Sequence, residues 1–194
     1  MARKPHALAP QQQGRIDGLC ALYATLNGCK HLFEHAQRSD ERLFKHLCET
    51  AVPDLFPKIM YEGTDTKGVR RLLAGAADWA RATHHRELAW SAPAWRRSFR
   101  TARDYFAFLR ATLERLEEGE RAVFVVGLAT PLDHWTVFTG ATASDALLFD
   151  SWGLDKSMPI DAFTLSAKQA GEGPGKKIQI DYHQTFMMRV AAKR

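Results

Sequence analysis

The chain has 194 residues, of which 45 % are hydrophobic and 25 % charged, and it carries a net charge of +5. That length suits one well-cored domain spanning 1–194, and the balance of apolar and charged residues excludes a disordered chain. No apolar run approaches the roughly 20 residues that cross a bilayer, and no apolar stretch follows the basic start, so neither a membrane span nor a cleaved export signal is expected.

The first dozen residues, with Pro5, Pro10 and the run Gln11-Gln12-Gln13, read as an extended entry segment. Asp17 is a suitable N-cap for a helix that buries Leu19, Leu22, Tyr23 and Leu26, with Asn27-Gly28 as its stop. Leu43, Phe44 and Leu47 predict a second helix from about Ser39 to Ala51, and Val69, Leu72, Leu73 and Ala76 a third from Thr66 to about Arg81. A short strand is expected over Arg86–Trp90. A further helix should run from Thr101 to about Glu117, with Tyr105, Phe108, Leu109, Leu113 and Leu116 inward.

Beyond Gly119 the pattern changes. Ala122–Leu128 is a β-branched run, and Trp135–Thr139, Ala146–Phe149, Lys177–Asp181 and Thr185–Val190 follow between turn residues. Helices first and strands afterwards predict an α+β domain, its helical N-terminal half packed on an antiparallel sheet in the C-terminal half. No internal repeat is present.

Three residues stand out chemically. Cys20 falls in the first turn of the first helix, where free N–H groups and the positive end of the dipole favour a thiolate. The odd count of three cysteines (Cys20, Cys29, Cys48), with no export signal, points to a reactive thiol in a reducing compartment rather than a disulfide framework. His134 opens a strand after the turn Thr130-Pro131-Leu132-Asp133. Asp150 closes the next strand, where a carboxylate can accept the imidazole N–H and fix its tautomer. Taken singly, each also reads as structure: a buried apolar cysteine, a satisfied histidine, a turn aspartate.

Together, a cysteine at a helix start, a histidine entering one strand and an aspartate ending the next resemble the papain-like cysteine peptidases. Asp150-Ser151-Trp152-Gly153 is similar to the Asn-Ser-Trp-Gly motif of that family, with Asp in place of Asn. The Asp17-Gly18-Leu19-Cys20 context is closer to its short bacterial branches, the staphopain-like and bacteriocin-processing peptidases, and faintly to Josephin deubiquitinases. About a hundred residues between the two motifs carry no resemblance.

The resemblance implies a papain-like fold and a Cys20–His134–Asp150 triad. It also implies a glutamine whose amide joins the Cys20 N–H in an oxyanion hole. Gln13 is the expected residue, with Gln11 and Gln12 as neighbouring competitors. Trp152 would shield the His–carboxylate bond; Trp135 reads equally as lining the cleft or as a core tryptophan. The implied activity is a cysteine-dependent hydrolase, a peptidase or isopeptidase acting on a specific protein or peptide. Acyltransferase or transglutaminase chemistry on the same triad and a non-catalytic binding module are the alternatives.

No cofactor is called for. Zinc-binding, Walker A and Gly-x-Gly-x-x-Gly patterns are absent, and Cys29 and His31 lack zinc-site spacing. The basic stretch from Arg96 to Arg110 offers a face for an acidic partner, whereas nucleic acid is disfavoured because no recognition motif accompanies the charge. A cytoplasmic location, or export as an effector by a specialised route, is the corresponding expectation.

Overall fold

The computed structural model describes residues 9–12, 18–34, 37–53 and 55–192. Its chain order is helical first: α1 (Cys20–Phe33), α2 (Gln37–Thr50), α3 (Lys58–Tyr61), α4 (Thr66–His84), β1 (Leu88–Ser91) and α5 (Ala102–Glu114). The strands β2 (Arg121–Leu128), β3 (His134–Ala141), β4 (Asp145–Leu148), β5 (Ser157–Pro159), β6 (Phe163–Thr164) and β7 (Ile178–Val190) follow. They build an antiparallel sheet in the order β1-β7-β2-β3-β4-β5, with β6 added parallel to β7. The fold is α+β, as the patterning predicts.

β2 is buried along almost its whole length because both faces of the sheet are covered. Val123 and Val125, with Val137, Phe186 and Met188, face a core shared with α1, α2 and α4. Phe124 and Val126, with Phe138 and Leu148, pack against Tyr105, Phe106 and Leu109 of α5 in a second core. Each such fully buried side chain contributes about 1.5–3 kcal/mol relative to exposure. Period-two alternation therefore sorts one apolar run into two cores.

Local chemistry fixes the helix ends. The Asp65 carboxylate caps α4 by accepting from Gly68 N at 2.7 Å, and Thr101 with Asp104 forms a capping box at the start of α5. Two expected boundaries are corrected. α1 does not stop at Asn27-Gly28 but continues to Phe33, closing on Glu34 at φ 50°. Asn27 is held inside the helix because its side chain grips the entry segment: Oδ1 accepts from Gln11 N at 2.7 Å and Nδ2 donates to Gln11 O at 3.1 Å. Gly28 lets the Met188 sulfur of β7 come within 2.6 Å of where a Cβ would stand. Similarly, the two expected strands 177–181 and 185–190 are one strand, β7, interrupted by a bulge opposite Val126 and Gly127.

α1 and α4 lie side by side and parallel. At their C-terminal ends Phe33 stacks on His84 with ring centroids 4.6 Å apart. At their N-terminal ends Gly18, just before α1, donates to Met60 O at 2.9 Å and abuts Gly63, just before α4. Both positive helix ends thus face the same edge of the domain.

Candidate active site

Cys20 is the first residue of α1 and only 5 % exposed. The N-cap is Leu19, which makes no side-chain capping bond, so the helix begins later than an Asp17 cap would place it; Asp17 itself lies outside the described residues. Cys20 therefore stands where backbone N–H groups have no intrahelical partner. A Cβ on Gly18 would fall 2.6 Å from Ile59 O and 2.8 Å from Gly63 N, so only glycine allows this approach to the cysteine. Beside it, between α3 and the start of α4, opens a cavity of about 300 Å³ lined by Leu55, Phe56, Ile59 and Thr64.

His134 opens β3, paired with Leu128 at the end of β2, and is 3 % exposed. Its Nε2 donates to Asp150 Oδ1 at 2.7 Å; Cys20 stands near enough to the ring to act on it, while its thiol is oriented toward Gly18 O at 4.0 Å. Burial opposes a charge on this ring. The hydrogen bond to Asp150 and its carboxylate charge, with the nearby Cys20, outweigh burial and raise the imidazole from 6.5 to about 9. Near neutral pH the ring is protonated, and both nitrogens donate.

Asp150 sits two residues beyond the end of β4 rather than on the strand, in a turn joined to β3 by the Phe149 N to Val137 O bond of 2.8 Å. Both carboxylate oxygens are engaged. Oδ1 holds His134, while Oδ2 accepts from Trp152 N at 2.7 Å and Leu154 N at 3.2 Å. Burial pushes this carboxyl up, but His134 first and then the Trp152 N–H hold it below the usual carboxylate range. The three groups are thus brought together by one helix start, one strand start and the turn after the neighbouring strand.

The remaining candidates divide. Trp152 is 48 % exposed and lies with its ring 5.6 Å from His134, tilted by 41°, where it screens one side of the imidazole. Trp135 does not line the cleft. It is 4 % exposed, belongs to the core with Phe186, and its indole N–H donates to Thr64 O at 2.9 Å. With Val137, two residues on, it takes the face of the sheet that packs against α1 and is covered there.

Among the glutamines, Gln11 is removed from any oxyanion role because its amide donates to Asp40 Oδ2 at 2.8 Å. Gln12 donates to the Asp150 carbonyl oxygen at 3.3 Å and so lies at the site. Gln13 lies outside the described residues. Leu154 and Gly63 were not singled out for the site from the sequence, and Gly18 only as part of the Asp17-Gly18-Leu19-Cys20 context.

The basic stretch is not one uniform face. Arg103 pairs with Asp161 at 3.0 Å, Arg110 with Glu114 at 3.4 Å, and Arg97 lies over the Phe108 ring at 4.5 Å. Arg96 and Arg100 remain exposed. Among the described residues there is no group of His, Cys, Asp and Glu that could hold a metal ion, and no helix is long and apolar enough to cross a membrane. No protein-family model, curated protein or solved structure matches the chain.

Proposed function

We propose that this protein is a cysteine-dependent hydrolase of papain-like architecture, a peptidase or isopeptidase acting on a specific protein or peptide. The observation that carries the reading is the buried His134–Asp150 hydrogen bond of 2.7 Å with Cys20 beside the imidazole at the start of a helix. A structural cysteine needs no imidazole, and a structural histidine needs no doubly engaged carboxylate. An α+β fold whose first helix opens on the cysteine, against a sheet carrying the histidine and aspartate, supports the papain-like assignment.

In the proposed reaction the imidazolium of His134 stabilises the Cys20 thiolate, which attacks the acyl carbon of an amide. The Cys20 N–H and the amide of Gln13 receive the developing oxyanion; losing one such donor costs about 2.7–4 kcal/mol of transition-state stabilisation. His134 Nδ1 gives its proton to the leaving amine, and the ring, now neutral, activates the water that hydrolyses the thioester. Asp150 holds the ring orientation through both half-reactions. Trp152 lowers the local dielectric around the His134–Asp150 bond and strengthens it.

The test is brief, substoichiometric alkylation with iodoacetamide or the epoxide E-64 near neutral pH, read by intact mass. Single modification at Cys20 that disappears in Cys20→Ala and slows strongly in His134→Ala is the expected result. Modification spread over Cys29 and Cys48, or indifferent to His134, would exclude the mechanism.

A further inference from the structure

β7 carries extra residues where it passes the end of β2. Val126 opposes Thr185 but Gly127 opposes Asp181, so Tyr182, His183 and Gln184 bulge outward. Gly127 permits the bulge, since a Cβ there would lie 2.5 Å from Gln184 Oε1. Gly127 also pairs with Trp135, the neighbour of His134, so the bulge stands within a strand's width of the candidate triad.

Around this bulge the molecule exposes what it elsewhere buries. His183 is exposed and meets Trp95 edge-on, with ring centroids 5.7 Å apart. Trp95 is 47 % exposed and Trp90 36 %. The Arg70 guanidinium, exposed on α4, lies 5.5 Å from the Trp95 ring and 5.9 Å from that of Phe186. Phe186, itself buried, lies 6.3 Å from Trp90 and 6.1 Å from Trp135, so the exposed aromatic rings rest on the core that reaches the neighbour of His134.

Stacking holds Arg70 in place without neutralising it, and among the described residues no carboxylate pairs with it. The acidic groups at hand are already engaged: Asp181 accepts from His183 N, and Asp65 caps α4. Arg96 adds positive charge one residue from Trp95. Exposed tryptophan beside arginine is the composition of binding surfaces, and the sign of the charge selects an acidic occupant.

We propose that Arg70, Trp90, Trp95 and His183 receive an extended acidic segment of the protein substrate beside the scissile bond, with a substrate carboxylate on Arg70. This assignment rests on the hydrolase reading, which makes a polypeptide the occupant. Backbone contacts and the aromatic surface supply affinity, and Arg70 supplies the preference for negative charge.

The probes are tetrapeptidyl chloroacetamides bearing Asp, Asn or Lys at each position in turn, with the alkylation rate of Cys20 read by intact mass. Asp at one position should react about tenfold faster than Lys, a ratio expected of one charge-assisted contact. Arg70→Glu should invert that order, and Trp95→Ala should slow every peptide, while both variants keep the wild-type rate with iodoacetamide. Rates indifferent to peptide charge, or an Asp preference that survives Arg70→Glu, would overturn the proposal.

If iodoacetamide labelling of the wild type does not depend on His134, the hydrolase reading fails instead. The surface is then judged on Cys20→Ala protein by tryptophan fluorescence, titrating an acidic tetrapeptide. Binding abolished by Arg70→Glu sustains the surface; no binding, or tighter binding of a short oligo(dT), removes it.

Discussion

Replacing Asp150 with Asn changes one atom's chemistry and breaks the arrangement. Oδ1 accepts from His134 and Oδ2 from two backbone N–H groups, so both oxygens must be acceptors. An asparagine has one acceptor and must turn its NH₂ toward either the imidazole or the Trp152 and Leu154 amides. With both partners buried, the loss should be about 3–5 kcal/mol, as for a buried pair with one member removed. The histidine gives a second gauge. Its rise from 6.5 to about 9 corresponds to about 3 kcal/mol favouring the charged ring, shared between Asp150 and Cys20.

Because the folded value lies above the unfolded one, this contribution is complete below about pH 6.5 and is lost as the pH rises through about 9. Urea unfolding of wild type and Asp150→Asn, repeated between about pH 6 and pH 10, should show a gap of several kcal/mol that narrows across that window. A gap below about 0.5 kcal/mol at pH 6, or one that stays constant to pH 10, would refute the reasoning.

Other substitutions probe the scaffold. Asn27→Ala should lower stability by about 1–3 kcal/mol, read as a fall in Tm, because Gln11 loses both backbone partners. In Gly18→Ala the new Cβ meets Ile59 O and Gly63 N, so iodoacetamide labelling of Cys20 should slow about tenfold while far-UV circular dichroism is unchanged. Burial pushes the Cys29 thiol up, and burial with Glu49 does the same to the half-buried Cys48. Native Cys20→Ala should accordingly resist alkylation at neutral pH and gain label at Cys48, not Cys29, under alkaline conditions. Trp135→Phe should cost about 0.5–1.5 kcal/mol, the value of its bond to Thr64 O, and leave the pH dependence of Cys20 labelling intact.

The order of helices and strands was legible because apolar periodicity is a local property, and Cys20, His134 and Asp150 stood out by their positions at element ends. What escaped depends on contacts distant in sequence. Asn27-Gly28 has the chemistry of a helix stop, yet Gln11 and Met188 supply partners that keep α1 going to Phe33. Trp135 and Trp152 look alike as residues, but the sheet face packed against α1 buries the first, while the turn after β4 leaves the second at the surface beside His134. The need for Asp rather than Asn at position 150 was invisible for the same reason: it is set by two amides folded back onto the second oxygen.

The position of β7 has a consequence for synthesis. It is the last strand of the sequence yet lies inside the sheet, between β1 and β2. Cys20, His134 and Asp150 all leave the ribosome before it, and β2, already paired with β3 on one side, keeps its other edge open until β7 adds to it. Translation at about 5–20 residues per second separates these events by seconds. The nascent chain therefore holds an open edge on β2 during that interval, and a protein truncated before Ile178 would leave both β1 and β2 without the strand that joins them.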